Sequence, residues 1–241
     1  MNTAPVERLH LFFATETPRA LILRRVARRL YQLIGWDRDT DAFTPGQWLK
    51  KEIQIDACRL SPDGQHFLYV VTGAPYRTEA TDRYTVISRP PYFTALALFP
   101  QGDFWQLGGV FLDSRTYWIA GDHATHDIIG RDDDLERVFQ GEPGKGCTTG
   151  LRRVNGTPVE LTPQTRRRLL GGGALDAPRS GAGDGYDTQG GKLYRRAGMD
   201  LTPMGDFSDL AFETVIAPYD TRTRSAPDAP ADWHPLDGEG T

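Results

Sequence analysis

Between residues 50 and 120 the chain is cut into short apolar runs, and most of them end on a turn bearing proline or glycine. A helix wants about ten or more residues between such breaks and a strand only about four to eight, so the punctuation points to short β-strands. Residues 52–60 place Ile53 and Ile55 on one face, and Ser61-Pro-Asp-Gly64 follows with proline set for a turn corner and glycine for positive φ. Residues 66–72, rich in aromatic and β-branched side chains, return as the second strand of a hairpin. Further strands are expected at 83–88, at 92–99 (closed by Pro100-Gln-Gly102), at 104–112 and at 115–119, with the Gly108-Gly109 pair suggesting a bulge. Such regular short strands belong to a sandwich, a barrel or a propeller.

Residues 17–37 read two ways. Thr17 and Pro18 suit a helix start, and Leu23, Val26, Ala27, Leu30, Tyr31 and Ile34 share one helical face, so a helix over 18–35 is the better local reading. Residues 20–23 and 30–36 also suit two strands, with 24–29 as their connection. Beyond Gly121 the signal weakens to short candidates at 151–154, 159–161, 166–170, 192–196 and 210–216, and 171–191 is glycine-rich. Prolines and scattered polar residues from Tyr219 onward suggest a disordered tail, leaving one domain over 1–218. Pro100-Gln-Gly-Asp-Phe-Trp-Gln-Leu107 matches Pro203-Met-Gly-Asp-Phe-Ser-Asp-Leu210 at five positions, and Ser61–Tyr69 and Asp187–Tyr194 have the related turn-then-strand form, a recurrence near the roughly 40-residue period of a propeller blade.

Three ordered segments carry a resemblance. Gly35-Trp-Asp-Arg-Asp-Thr-Asp-Ala-Phe-Thr-Pro-Gly-Gln-Trp48, Cys58-Arg-Leu-Ser-Pro-Asp-Gly64 and Ser88-Arg-Pro-Pro-Tyr-Phe-Thr-Ala-Leu-Ala-Leu-Phe-Pro100 are similar to an uncharacterised family of bacterial propeller-like all-β proteins. Gly190-Gly-Lys-Leu-Tyr-Arg195 and Phe212-Glu-Thr-Val-Ile-Ala-Pro218 resemble its C-terminal part. The resemblance implies strands for 20–36 and brings no established activity. No glycine marks the turn it requires at 24–29.

The chemistry-bearing residues are sparse. His123, His126 and Asp127 form the densest ligand cluster, suited to zinc or a similar ion, but they lack the HExxH pattern and read better as a polar surface loop. No Gly-x-Ser-x-Gly elbow occurs, and 141–149 lacks the spacing of a phosphate loop. Cys58 and Cys147 have no CxxC context, and Cys58 suits a small buried apolar group. Trp48, Arg89, Tyr92 and Trp105 lie at strand ends or turns, where rigid aromatics and prolines bind at low entropic cost; the Gln47-Trp48 and Arg89-Pro-Pro-Tyr92 corners are the preferred recognition sites.

A net charge of −4 argues against a nucleic-acid partner, and no apolar run approaches the roughly 20 residues of a membrane helix. The N-terminal residues lack the pattern of a secretory signal, so a cytoplasmic setting is expected. The sequence thus predicts an all-β, propeller-like or irregular antiparallel domain, with a sandwich or a helix at 18–35 as alternatives. It is expected to bind another protein, without turnover or cofactor. A metal-assisted hydrolase using His123, His126 and Asp127, and a small acidic immunity or antitoxin-like partner, are the competing readings.

Overall fold

The computed structural model describes residues 7–73, 83–101, 108–120, 134–140, 150–163, 165–166 and 185–220. These residues form four β-sheets laid down in chain order. Sheet 1 is an antiparallel meander of β1 (Arg8–Phe13), β2 (Arg19–Ala27), β3 (Leu30–Asp37) and β4 (Ala42–Leu49). In sheet 2, β5 (Glu52–Ile53) and β6 (Arg59–Leu60) both pair with β7 (Phe67–Thr72), which continues to β8 (Arg83–Ser88) and β9 (Ala95–Pro100). Sheet 3 comprises β10 (Gly109–Phe111), β11 (Thr116–Ile119), β12 (Glu136–Gln140) and β13 (Leu151–Arg152), with β11 and β12 parallel. Sheet 4 holds β14 (Tyr186–Gln189), β15 (Lys192–Ala197) and β16 (Asp200–Asp206).

The sheets stack through their side-chain faces. Leu21, Leu23, Tyr31 and Leu33 leave one face of sheet 1 and pack on Phe67, Tyr69, Val71, Tyr84 and Val86 of sheet 2. The alternate residues Ala20, Ile22, Ile34 and Trp36 pack on Leu193 and Phe207 at sheet 4. Leu68, Ile87 and Phe99, on the far face of sheet 2, meet Phe111, Tyr117 and Ile119 of sheet 3. Sheets 1 and 2 are therefore covered on both faces, which is why their strands read as unbroken apolar runs rather than as alternating patterns.

This double burial overturns the helical reading of 18–35: the segment is the β2–β3 hairpin, paired from Arg19↔Asp37 to Ala27↔Leu30. An apolar run buried on both faces satisfies a helical wheel by coincidence. Nor is 24–29 the connection; only Arg28 and Arg29 lie between the strands, and Arg29 takes the left-handed backbone at φ 63° that glycine adopts without strain. Arg29 is exposed. Arg29→Gly is therefore expected to stabilise the fold by about 0.5–1 kcal/mol, the relief of strain exceeding the added chain entropy, whereas Arg29→Val should destabilise it. Urea denaturation midpoints of the two variants check the sign.

Two other expectations are corrected. Residues 52–60 are not one strand: a 3-10 turn at Ile55–Ala57 separates β5 from β6. The predicted turn at Ser61–Gly64 does form, with Gly64 N–H donating to Ser61 O at 2.9 Å and Ser61 Oγ accepting from His66 N–H at 2.9 Å. Residues 210–216 run without strand pairing, held instead by the side chains of Arg24 and Gln47 from sheet 1. Of the strand expected at 166–170 only Arg166 is described, its backbone N–H bonding Thr162 O at 2.9 Å; 167–170 lie outside the described residues.

Candidate functional site

Two corners distant in sequence meet at the seam between sheets 1 and 2. Gly46 lies inside β4 against Pro91, close enough that a Cβ there would fall 2.5 Å from Pro91 Cβ. The next residue, Gln47, donates its backbone N–H to Pro91 O at 3.0 Å. The Gln47 side chain then saturates its bonding capacity. Its Oε1 accepts from the backbone N–H groups of Phe93 (2.7 Å) and Thr94 (2.8 Å), while Nε2 donates to Thr94 Oγ1 (3.0 Å) and to Val215 O (2.8 Å).

That last bond ties the corner to the extended segment after β16. Phe212 lies beside Trp48, ring centroids 5.7 Å apart. Tyr219, placed in the tail by its composition, is anchored: its hydroxyl donates to Thr94 O at 2.7 Å and accepts from Arg89 N–H at 3.1 Å. Tyr92 meets the Tyr219 ring edge-on at 6.0 Å, and the Arg89 guanidinium lies over it at 5.8 Å. Burial raises the Tyr219 pKa above the ordinary phenol range, so the hydroxyl remains a proton donor at neutral pH.

The structure thus brings three of the predicted binding residues, Trp48, Arg89 and Tyr92, onto one eleven-residue stretch, 210–220. Trp105 lies outside the described residues, as do His123, His126 and Asp127. Among the described residues no three His, Cys, Asp or Glu side chains gather as metal ligands, and no helix is long and apolar enough to cross a membrane. Cys58 is fully buried, its thiol pushed up to about 12 by desolvation, which fits an inert packing role.

Beneath residues 212–215 lies a cavity of about 270 Å³. Tyr69, Tyr84, Val86 and Leu98 of sheet 2, with Phe93 from the β8–β9 connection, line it together with Gln47, Trp48 and Leu49 of β4. Sequence reasoning missed Tyr84 and Thr94, both inside apolar strand-like runs, and took Tyr219 for tail; an aromatic side chain isolated among polar residues was the available signal. No protein-family model, curated protein or solved structure matches this chain.

Proposed function

We propose that the protein is a non-catalytic binding module for an extended peptide segment of another protein, presented on a propeller-like stack of sheets. The propeller-like reading is supported by four successive sheets packed face to face, with the last sheet in the chain returning against the first. The observation that carries the peptide reading is the grip on residues 212–219. An unpaired extended backbone is held by one side-chain amide to a carbonyl, by an aromatic contact at Phe212 and by a Tyr219 ring flanked by Arg89 and Tyr92. Backbone recognition with aromatic anchors at intervals is how peptide sites combine affinity with selectivity. In the isolated chain the tethered segment occupies the site, and its effective concentration, on the order of millimolar, holds competitors off.

A labelled synthetic peptide of residues 210–220 is expected to bind the full-length Tyr219→Ala variant, whose own segment is loosened, and to bind the unaltered protein much more weakly. Adding Gln47→Ala to Tyr219→Ala should weaken the peptide about tenfold, because the Val215 carbonyl and the Phe93 and Thr94 N–H groups all lose a partner. Fluorescence anisotropy reads both. Failure of the peptide to bind Tyr219→Ala, or indifference to Gln47, rejects the proposal.

A further inference from the structure

The cavity below residues 212–215 shares Gln47 and Trp48 with the peptide grip, but its floor has a chemistry of its own. Its floor is aromatic and aliphatic, from Tyr69, Val86, Phe93 and Leu98. Its one charged lining residue is Glu213, on the exposed segment above. The polar groups of the wall are mostly committed: the Tyr69 hydroxyl donates to Phe93 O at 2.6 Å, and Gln47 and Thr94 satisfy each other. Tyr84 is the exception. It is 2% exposed and lines the cavity, yet its hydroxyl has no hydrogen-bond partner among the described residues. The Trp48 indole N–H, on another lining residue, is also buried without a partner. The Tyr84 hydroxyl at the cavity wall is thus open to a guest, and the buried Trp48 N–H is a second unspent donor, unusual because buried polar groups nearly always find a partner.

We propose that this cavity binds a small uncharged aromatic molecule of two fused rings, carrying a hydroxyl or carbonyl oxygen that bonds the Tyr84 hydroxyl. The size follows from the volume: 270 Å³ is nearly twice the roughly 150 Å³ of an apolar cavity that accepts one benzene ring. The absence of charge follows from the lining, since no cationic side chain stands there to offset an anion and Glu213 adds repulsion. The oxygen follows from Tyr84. Aromatic character follows from the rings of Tyr69, Phe93 and Trp48, which offer edge and face contacts to a planar guest.

The test titrates the full-length protein by calorimetry with 2-naphthol, naphthalene and 2-naphthoate. With about eleven non-hydrogen atoms well buried, 2-naphthol is expected to bind with a Kd of about 100 µM. Naphthalene, lacking the oxygen, should bind about five- to tenfold more weakly, and the charged naphthoate more weakly still. Tyr84→Phe should bring 2-naphthol down to the naphthalene level while leaving naphthalene unchanged, a pattern that a merely structural role for Tyr84 does not produce. Ala95→Phe, at a half-buried lining position, should abolish both with the melting temperature preserved. No saturable binding of 2-naphthol up to millimolar concentration, or equal binding by Tyr84→Phe, overturns the proposal. The peptide grip does not use the Tyr84 hydroxyl, so loss of 2-naphthol binding in Tyr84→Phe with peptide binding intact separates the two readings, and either can fail alone.

Discussion

Arg24→Ala is expected to cost about 3–5 kcal/mol, the range for removing one partner of a buried ion pair. Arg24 is 2% exposed inside β2. Its Nε donates to Glu7, its Nη1 to Gln32 Oε1 at 3.0 Å and Leu210 O at 2.9 Å, and its Nη2 to Ser208 O at 3.3 Å. The guanidinium also lies 5.5 Å from the centroid of the Trp48 ring. One side chain therefore joins Glu7, Gln32 of β3 and Trp48 of β4 to the turn that follows β16. With alanine there, Glu7 is left as a largely buried carboxylate without its cation, and two backbone carbonyls lose their donor. Arg24→Lys keeps the charge but cannot span these divergent acceptors, so it should recover only part of the loss. Arg24→Leu combined with Glu7→Leu should be less damaging than the two single losses summed, since no charge remains stranded. Urea midpoints, with amide exchange across 207–216, measure both effects; a loss under about 1 kcal/mol for Arg24→Ala removes the side chain from its central role.

The all-β class was legible because the turns announce themselves. Ser61-Pro-Asp-Gly64 carries its own conformational demands, and Gly64 adopts the positive φ of 72° that the turn requires. Arg24 was illegible for the opposite reason. It begins a run in which Arg24, Arg25, Arg28 and Arg29 crowd six positions, a composition that signals solvent, and its burial is tolerable because Glu7, Gln32 and the carbonyls after β16 accept its donors. The weakening of the pattern beyond Gly121 also has a physical cause in sheet 4. Leu193 is fully buried against sheet 1, while most of β16 faces solvent, so the sheet needs few apolar residues and displays few. At the candidate site the individual corners were legible as rigid and aromatic. Their meeting was not, because the register that sets Gly46 on Pro91 links residues 45 positions apart.

That meeting makes a second large effect testable with a single methyl group. Gly35 and Gly46 both face Pro91, and neither has positive φ, so backbone strain does not distinguish them. Space does. A Cβ at Gly35 would sit 3.7 Å from Pro91 Cβ, an ordinary contact, whereas at Gly46 it would overlap the Pro91 carbonyl oxygen and lie 2.8 Å from its carbon. Gly35→Ala is therefore expected to be neutral within about 0.5 kcal/mol, its small burial gain and lower chain entropy in the unfolded state offsetting local adjustment. Gly46→Ala must push the 89–92 corner away from β4. The movement breaks the Gln47 N–H bond to Pro91 and misaligns the Gln47 amide with Phe93, Thr94 and Val215. Overpacking of about 1–3 kcal/mol and two or more lost hydrogen bonds at about 1 kcal/mol each put the expected destabilisation near 3–4 kcal/mol. Because Arg89 and Tyr92 hold Tyr219, the same shift should free the 212–219 segment before the sheets unfold, seen as proteolytic cleavage there at urea concentrations where the Trp36 core remains closed. Equal stability of the two alanine variants would show that the corner yields freely, and the rigid joint inferred between sheets 1 and 2 would have to be abandoned.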